Sequence, residues 1–377
     1  MKICFVAHPS HANSRRWIRY FANVLGHEVH VIAAMRHFEP IEGVKIHALP
    51  VDHERKWQYF LTIPWVRRTV RRIAPDVLIG YRVQSNGFLA ACAGYHPLVL
   101  AAQDEHIVTP PDSRLLREIV KFTLRRGDWF NAWGDHMAAR MVELGAPKER
   151  IVIRSRGVDL SAFHPPHPER PSLRDEPRPT VVTTRGLYPF YRHDVAVAAM
   201  SRVVERVPDA RLLILGEGPL EESIQADVRA RELERHVQLL GYFEHAGVAK
   251  FVREAHVYVS VVETEGVSSS LLEAMACGTF PVVLNHPSNR LFLRHGKNGL
   301  LVEKAQPELL AEQLIEALTN STLRDSAARE NLELIRRDHD WAANMRKMEA
   351  EYSALVQAAQ AGPHESGAAR RSERAGL

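Results

Sequence analysis

Short apolar runs rich in β-branched residues alternate with amphipathic helical stretches along most of the chain, and that alternation narrows its fold more than any other feature. KICFVA, HEVHVIA, VKIHAL, PDVLIGY, PLVLAAQ, FNAW and RIVIRS are followed, after a Pro-rich charged stretch, by TVVTT, RLLILG, LLGYF, HVYVSVV and PVV. Strands spaced by helices form a parallel sheet covered on both faces. With 377 residues the chain exceeds what one hydrophobic core usually supports. The expectation is two doubly wound α/β domains, residues 1–165 and 180–338, joined by a Pro-rich, charged linker over 166–179, PHPERPSLRDEPRP.

The stretch HVYVSVVETEGVSSSLLEAMACGTFPVV, from His256 to Val283, carries the clearest chemistry. It reads as strand, loop, helix and strand, so its loop lies at the carboxyl end of a parallel strand. The first amides of the helix, near Ser268, Ser269 and Ser270, lack intrahelical partners and suit an anion. Glu265 before the helix and Glu273 inside it border the same helix start. This run resembles the signature of retaining glycosyltransferases of the GT-B fold, family 4 (glycosyl transferases group 1), which carries two glutamates with seven residues between them. The resemblance implies that Glu273 binds the ribose hydroxyls of a nucleotide sugar. It also implies that Glu265, with the amides of Gly266, Val267, Ser268 and Ser269, faces the donor sugar and diphosphate. Ser268 stands where members often have a second glycine.

The resemblance extends along nearly the whole chain. Arg185 and Gly186 end the strand TVVTT, and Arg192 follows at the start of a helix; the family places an Arg and a Lys there to grip the donor diphosphate. Arg192 stands in for that Lys, and an arginine fork meets phosphate oxygens in pairs. Gly216 opens a G-x-G after RLLIL, and Tyr242 or Phe243 is expected beside the nucleobase at the end of LLGYF. RGVDLSAFHP matches the segment that leads out of the first domain, and N-R-x-x-x-x-x-G-K-N-G-L-L-V from Asn289 is also typical of the family. In the N-terminal, acceptor-side domain, Arg16 and Trp17 match an Arg-Trp pair of one subgroup, which puts His8 and His11 at the mouth of the expected cleft. Gln103, Asp104 and His106 cluster where PLVLAAQ releases into its loop, the usual place for ligand chemistry in an open α/β sheet. The resemblance implies a side chain from this cluster near the donor sugar and the acceptor hydroxyl: Gln103, on the acceptor side, or Asp104 falls at that position, with His106 slightly later, and Asp104 and His106 join Glu265 as the candidate catalytic residues. The helix after Asp338, over 339–360, is expected to cross back to the first domain as in GT-B proteins. The polar tail 361–377 is expected to be disordered.

Composition excludes several classes. The net charge of +4 is modest and mixed in sign, against a dedicated nucleic-acid protein. Cys4, Cys92 and Cys277 show no C-x-x-C spacing, so thiols are expected rather than a disulfide or metal site. No run reaches the roughly 18 to 20 apolar residues of a membrane span, and MKICFVA is too short for a signal peptide. A cytoplasmic location follows as the expectation. A basic amphipathic helix over 113–126 reads either as an ordinary domain helix with a solvated cationic face or as a peripheral contact with the inner face of a membrane. The resemblance implies a sugar transferred with retention from a nucleotide-diphosphate sugar to a sugar, lipid-linked or small-molecule acceptor, with no obligatory cofactor and no metal. An epimerase of the same fold and a non-catalytic transferase-like subunit are the rival readings. An NAD-dependent oxidoreductase is disfavoured, because no G-x-G-x-x-G follows the first strand.

Overall fold

The strand and helix alternation becomes two separate parallel sheets in the computed structural model, which describes residues 1–35, 37–49, 58–102, 107, 113–154, 157–166, 178–263 and 268–361. The chain divides into one unit of Met1–Ser155 with Met345–Leu377 and a second of Arg156–Asn344. Residues 167–177 of the expected linker and 362–377 of the expected tail lie outside the described residues.

In the first unit, β1 (Lys2–Val6), β2 (Glu28–Ala34), β3 (Val44–Leu49), β4 (Val77–Tyr81), β5 (Leu98–Ala102), β6 (Trp129–Ala132) and β7 (Ile151–Ile153) form one sheet. Its order is β3-β2-β1-β4-β5-β6-β7. β1 pairs in parallel with β2 through Ile3 and Val29 and with β4 through Ile3 and Val77. Central strands buried on both faces carry continuous apolar runs, and β4 and β5 are buried at every position. Ile73, Leu78, Leu98, Leu100, Leu124, Phe130 and Met141 belong to the core between this sheet and its helices.

The first helix departs from its sequence reading. Trp17, Tyr20, Phe21, Val24 and Leu25 share one face at α-helical spacing in the sequence. The chain instead runs as an α-helix over Ala12–Arg19 and then as a π-helical turn over Tyr20–Val24, closed by Leu25 N–H donating to Tyr20 O at 3.0 Å. The wider i→i+5 turn shifts the later residues around the axis. Trp17, Tyr20 and Phe21 stay buried while Val24 is 63% exposed. The basic helix also differs: it spans Arg114–Leu124, and Val120, Thr123 and Leu124 are buried, but Leu115 and Leu116 are 66% and 39% exposed.

The second sheet contains β8 (Thr180–Thr183), β9 (Arg211–Leu215), β10 (Val237–Gly241), β11 (Val257–Ser260), β12 (Phe280–Leu284) and β13 (Leu300–Val302), in the order β10-β9-β8-β11-β12-β13. β8 and β11, which precede the two candidate donor-binding loops, are neighbours, with Val257 opposite Val181. One core layer contains Val181, Val197, Ile214, Val259, Val282 and Leu314, and another contains Phe163, Tyr258, Leu271, Met275 and Ile335. The family-typical motif at Asn289–Val302 has a structural role here. Asn298 is buried, donates to Phe292 O and Asn331 Oδ1 at 2.9 Å each and accepts from Arg294 N–H at 2.7 Å, fixing the turn that feeds β13.

Likewise, the segment beginning RGVD pins the start of the last helix. Val158 N–H donates to His339 O at 2.7 Å, and Trp341 N–H donates back to Val158 O at 2.9 Å. The helix Trp341–Ala361 then belongs to the first unit from Met345 onward. From there on its buried residues are Met345, Met348, Tyr352 and Val356, at helical spacing. Tyr352 stacks on Phe21 and donates its hydroxyl to Asn131 Oδ1 at 2.7 Å, while Glu351 pairs with Arg154. Cys4, Cys92 and Cys277 are free thiols. Burial pushes the Cys4 thiol far above its ordinary range, so this group stays protonated and inert.

Candidate functional site

The carboxyl ends of β8, β9, β10 and β11 carry the candidate donor site of the second unit. Around an open cavity of about 580 Å³ lie Gly186 and Tyr188 after β8, Gly216, Glu217 and Gly218 after β9, and Tyr242 and Phe243 after β10. These loops fold tightly because backbone meets backbone. Leu187 N–H donates to Glu217 O at 3.0 Å, and Leu220 N–H donates to Leu187 O at 3.1 Å. A Cβ on Gly216, whose φ is 146°, would lie 2.4 Å from Arg185 O. The glycine of the G-x-G is therefore required by loop packing as well as by its left-handed conformation. Tyr242 is 63% exposed on the cavity wall.

Beside this cavity, β11 leads to the helix Ser269–Ala276. Ser268 is its N-cap, in extended conformation, and its Oγ accepts from Leu271 N–H at 3.3 Å. The third amide of the helix, that of Leu271, is thus capped by the chain itself. Arg185, 83 positions earlier, donates through Nη2 to the same Ser268 Oγ at 2.5 Å. Its guanidinium also lies 5.2 Å from the centre of the Tyr191 ring. Ser270 accepts from the hydroxyl of buried Tyr258 at 2.9 Å, which anchors the helix to β11.

His193 follows Arg192 and opens the helix His193–Arg206. It is 2% exposed, and its Nε2–H donates to Gly186 O at 3.1 Å. Burial holds its imidazole below the ordinary histidine range, so it stays in the neutral form that locks the Arg185–Gly186 loop. Arg192 lies at the N-terminus of the helix His193–Arg206 in the left-handed region, with φ 52°. It reaches Asp194 Oδ2 at 3.1 Å and Glu263 Oε1 at 2.8 Å. Its charge is already engaged by two carboxylates, one of them on the loop that follows β11.

Glu273 is the other glutamate of the sequence motif. Its side chain is 12% exposed, and Oε1 is 3.0 Å from Nε2 of His245. The ring of His245 lies 4.8 Å from that of Phe163, a residue of the segment after Arg156. Phe163, His245, Tyr188 and Glu263 were not singled out as site residues in the sequence. The aromatic run LYPFY after Gly186 was the available signal for Tyr188, but His245 and Glu263 reach the site only through folding. Asp104, His106, Gln103, Glu265, Gly266 and Val267 lie outside the described residues. His8 and His11 lie on the loop after β1, in the first unit. Among the described residues no group of three or more His, Cys, Asp or Glu side chains is placed to hold a metal ion, and no helix is long and apolar enough to cross a membrane.

Comparison with known proteins bears on this arrangement. The family described as glycosyl transferases group 1 matches residues 168–333, and that described as glycosyl transferase 4-like matches residues 2–131. The first unit thus matches one glycosyltransferase model and the second unit another. Among its relatives is the phosphatidyl-myo-inositol mannosyltransferase of Mycobacterium tuberculosis, 35% identical over 213 residues that cover 54% of each chain. The chain spans about half the length of the curated relatives it matches. A glycosyltransferase from Rickettsia africae aligns over 94% of this chain and 98% of its own, with a TM-score of 0.78 at 14% identity. Anabaena HepE in complex with UDP aligns over 94% of this chain and 100% of its own, with a TM-score of 0.76 at 14% identity. The chain has the GT-B fold, with two parallel-sheet α/β domains.

Proposed function

We propose that this protein transfers a sugar, with retention, from a nucleotide-diphosphate sugar held by the second unit to an acceptor hydroxyl. The observation that carries this reading is the placement of Arg185 on Ser268 at the start of the helix Ser269–Ala276, with Glu273 further along the same helix. A diphosphate at that helix start meets a guanidinium and backbone amides together, while the Glu273 carboxylate accepts hydrogen bonds from the ribose diol. Tyr242 and Tyr188 line the cavity where the base would stack. In the reaction the bond from the anomeric carbon to the diphosphate breaks, the acceptor oxygen bonds to the same carbon from the same face, and its proton passes to the leaving diphosphate. Arg185 and the helix amides stabilise the charge that develops there, the term that usually contributes most. Arg192 joins them by exchanging Glu263 for phosphate.

A thermal-shift screen with nucleoside diphosphates, UDP and GDP included, tests the donor site. One base should stabilise the fold by about 2.7 kcal/mol at 100 times its dissociation constant. The absence of stabilisation by every diphosphate would remove the donor assignment. Incubating the preferred nucleotide sugar without acceptor separates transfer from epimerisation, since an epimerase alters the sugar by itself.

The acceptor is proposed to reach the first unit, with a membrane surface as one source. Leu115 and Leu116 are exposed on the helix Arg114–Leu124, whose polar positions include Arg114, Arg117 and Lys121. Each cation near an anionic bilayer contributes about 1 kcal/mol, and the attraction decays over ~10 Å at 0.1 M salt. Co-sedimentation with anionic vesicles is expected at low salt, with loss at high salt and in the Arg117→Glu, Lys121→Glu, Arg125→Glu variant. Equal recovery of both proteins in the supernatant at low salt points instead to a soluble acceptor.

A further inference from the structure

We infer that the helical run over residues 60–73 of the first unit docks on an anionic phospholipid bilayer, with Phe60 and Leu61 entering its apolar layer and Arg67, Arg68, Arg71 and Arg72 meeting its phosphates. This rests on the membrane reading of the helix Arg114–Leu124 and gives that surface a second element, with more charge than the first.

The short helix Gln58–Leu61 is followed, after Thr62, by the helix Ile63–Ile73. Thr62 has φ −79° and ψ −17°, in the right-handed helical region. The two helices therefore share one angular order, at about 100° per residue. Thr62, Val66, Thr69, Val70 and Ile73 are buried, and Val66, Val70 and Ile73 belong to the core of the first unit. The opposite face is exposed. It begins with Phe60 at 47% and Leu61 at 66% exposure and continues with Arg67, Arg68, Arg71 and Arg72. That face is divided along its length, apolar at its start and cationic after it, and neither helix contains an Asp or Glu. Such a division suits the boundary of a bilayer, where acyl chains take the apolar turn and headgroup phosphates take the cations. A nucleic acid would meet the arginines and leave Leu61 in water.

The helix Arg114–Leu124 shares this side of the sheet. The connections from β3 to β4, β4 to β5 and β5 to β6 all step in one direction through the order β3-β2-β1-β4-β5-β6. As right-handed crossovers they place their helices on one face. Ring contacts join these helices: Phe60 meets Phe88 of the helix Gly87–Ala93 at 5.7 Å, and Phe88 meets Phe122 of the helix Arg114–Leu124 at 5.8 Å. Crossover helices run opposite to their strands, so their first turns stand at the carboxyl edge of the sheet. There the exposed Leu115 and Leu116 join Phe60 and Leu61. This is the edge where an open α/β sheet binds ligands, so a lipid-linked acceptor held there stays in contact with the bilayer. Charge decides which element leads. Lys121 of the helix Arg114–Leu124 is engaged by Glu118 at 2.8 Å, whereas the four arginines have no acid on their own helix.

The test is flotation of the full chain with vesicles of phosphatidylcholine alone, or of phosphatidylcholine mixed with phosphatidylglycerol, at about 0.1 M salt. The wild-type protein should float with the anionic vesicles only. The combined variant Arg67→Gln, Arg68→Gln, Arg71→Gln, Arg72→Gln should bind them about 100-fold more weakly, since each cation near an anionic surface contributes roughly fivefold. Arg67→Lys, Arg68→Lys, Arg71→Lys, Arg72→Lys should bind as wild type, because a bilayer reads charge rather than a planar fork. Leu61→Ser should weaken binding about tenfold at low and high salt alike, because apolar burial is not screened. All these positions are exposed, and a thermal melt checks that each variant is folded. Wild-type flotation of the four-glutamine variant overturns the inference and leaves the reading of the helix Arg114–Leu124 to its own variant. Failure of the wild-type protein to float with anionic vesicles overturns both. Binding to a DNA duplex in preference to the vesicles overturns the bilayer assignment.

Discussion

Arg185→Ala is expected to lower kcat with the preferred nucleotide sugar by roughly 10²- to 10³-fold, the loss typical of removing one preorganised donor from a developing anion. The side chain is held for that role: it rests on the Ser268 hydroxyl and beside the Tyr191 ring, at the start of the helix Ser269–Ala276. The charge on the diphosphate is greater in the transition state than in the bound donor, so the loss should fall mainly on kcat. Arg185→Lys should recover part of the rate, since a point charge remains but the fork to Ser268 and phosphate is gone. Arg192→Ala should cost less, because Arg192 already spends its charge on Asp194 and Glu263 and must exchange one of them. Steady-state kinetics of the three variants decide the matter. Wild-type turnover in Arg185→Ala would remove this residue from the diphosphate site.

The second large effect is expected from Glu273→Ala, which should weaken binding of the nucleoside diphosphate by about 1.5 to 3 kcal/mol, or roughly 10- to 150-fold in Kd. Its carboxylate is mostly buried and meets His245, so the ribose diol finds a preoriented acceptor rather than a solvated side chain. The effect should appear in donor affinity and leave kcat at saturating donor largely intact, since the ribose contact is the same before and during transfer. His245→Ala should produce a smaller loss of the same kind, by freeing the carboxylate to sample other rotamers. Calorimetric titration measures the affinities, and a thermal melt confirms that the fold survives. An unchanged Kd in Glu273→Ala would place this glutamate outside the site.

Much of the fold was written in local pattern. A parallel strand buried on both faces has to be a short apolar run, and KICFV, VLIGY and LVLAA are that and nothing else. The helix start at Ser268 was legible too, because a capping serine after a strand and before an Ala, Leu and Met-rich stretch obeys a local hydrogen-bonding rule. Local pattern misled where the periodicity itself changed. Val24 has the spacing of a core residue, but a π-turn rotates it into solvent.

What the sequence could not decide was which distant side chains meet. Arg185 reaches Ser268 because β8 and β11 are neighbours in the sheet although 73 residues separate Thr183 from Val257 by number. His245 reaches Glu273, and Arg192 reaches Glu263, for the same kind of reason. Periodicity acts over a few residues and so fixes elements and their buried faces. Contacts of this sort depend on strand order, which arises from the collective burial of the two cores, and only the tertiary structure decided them.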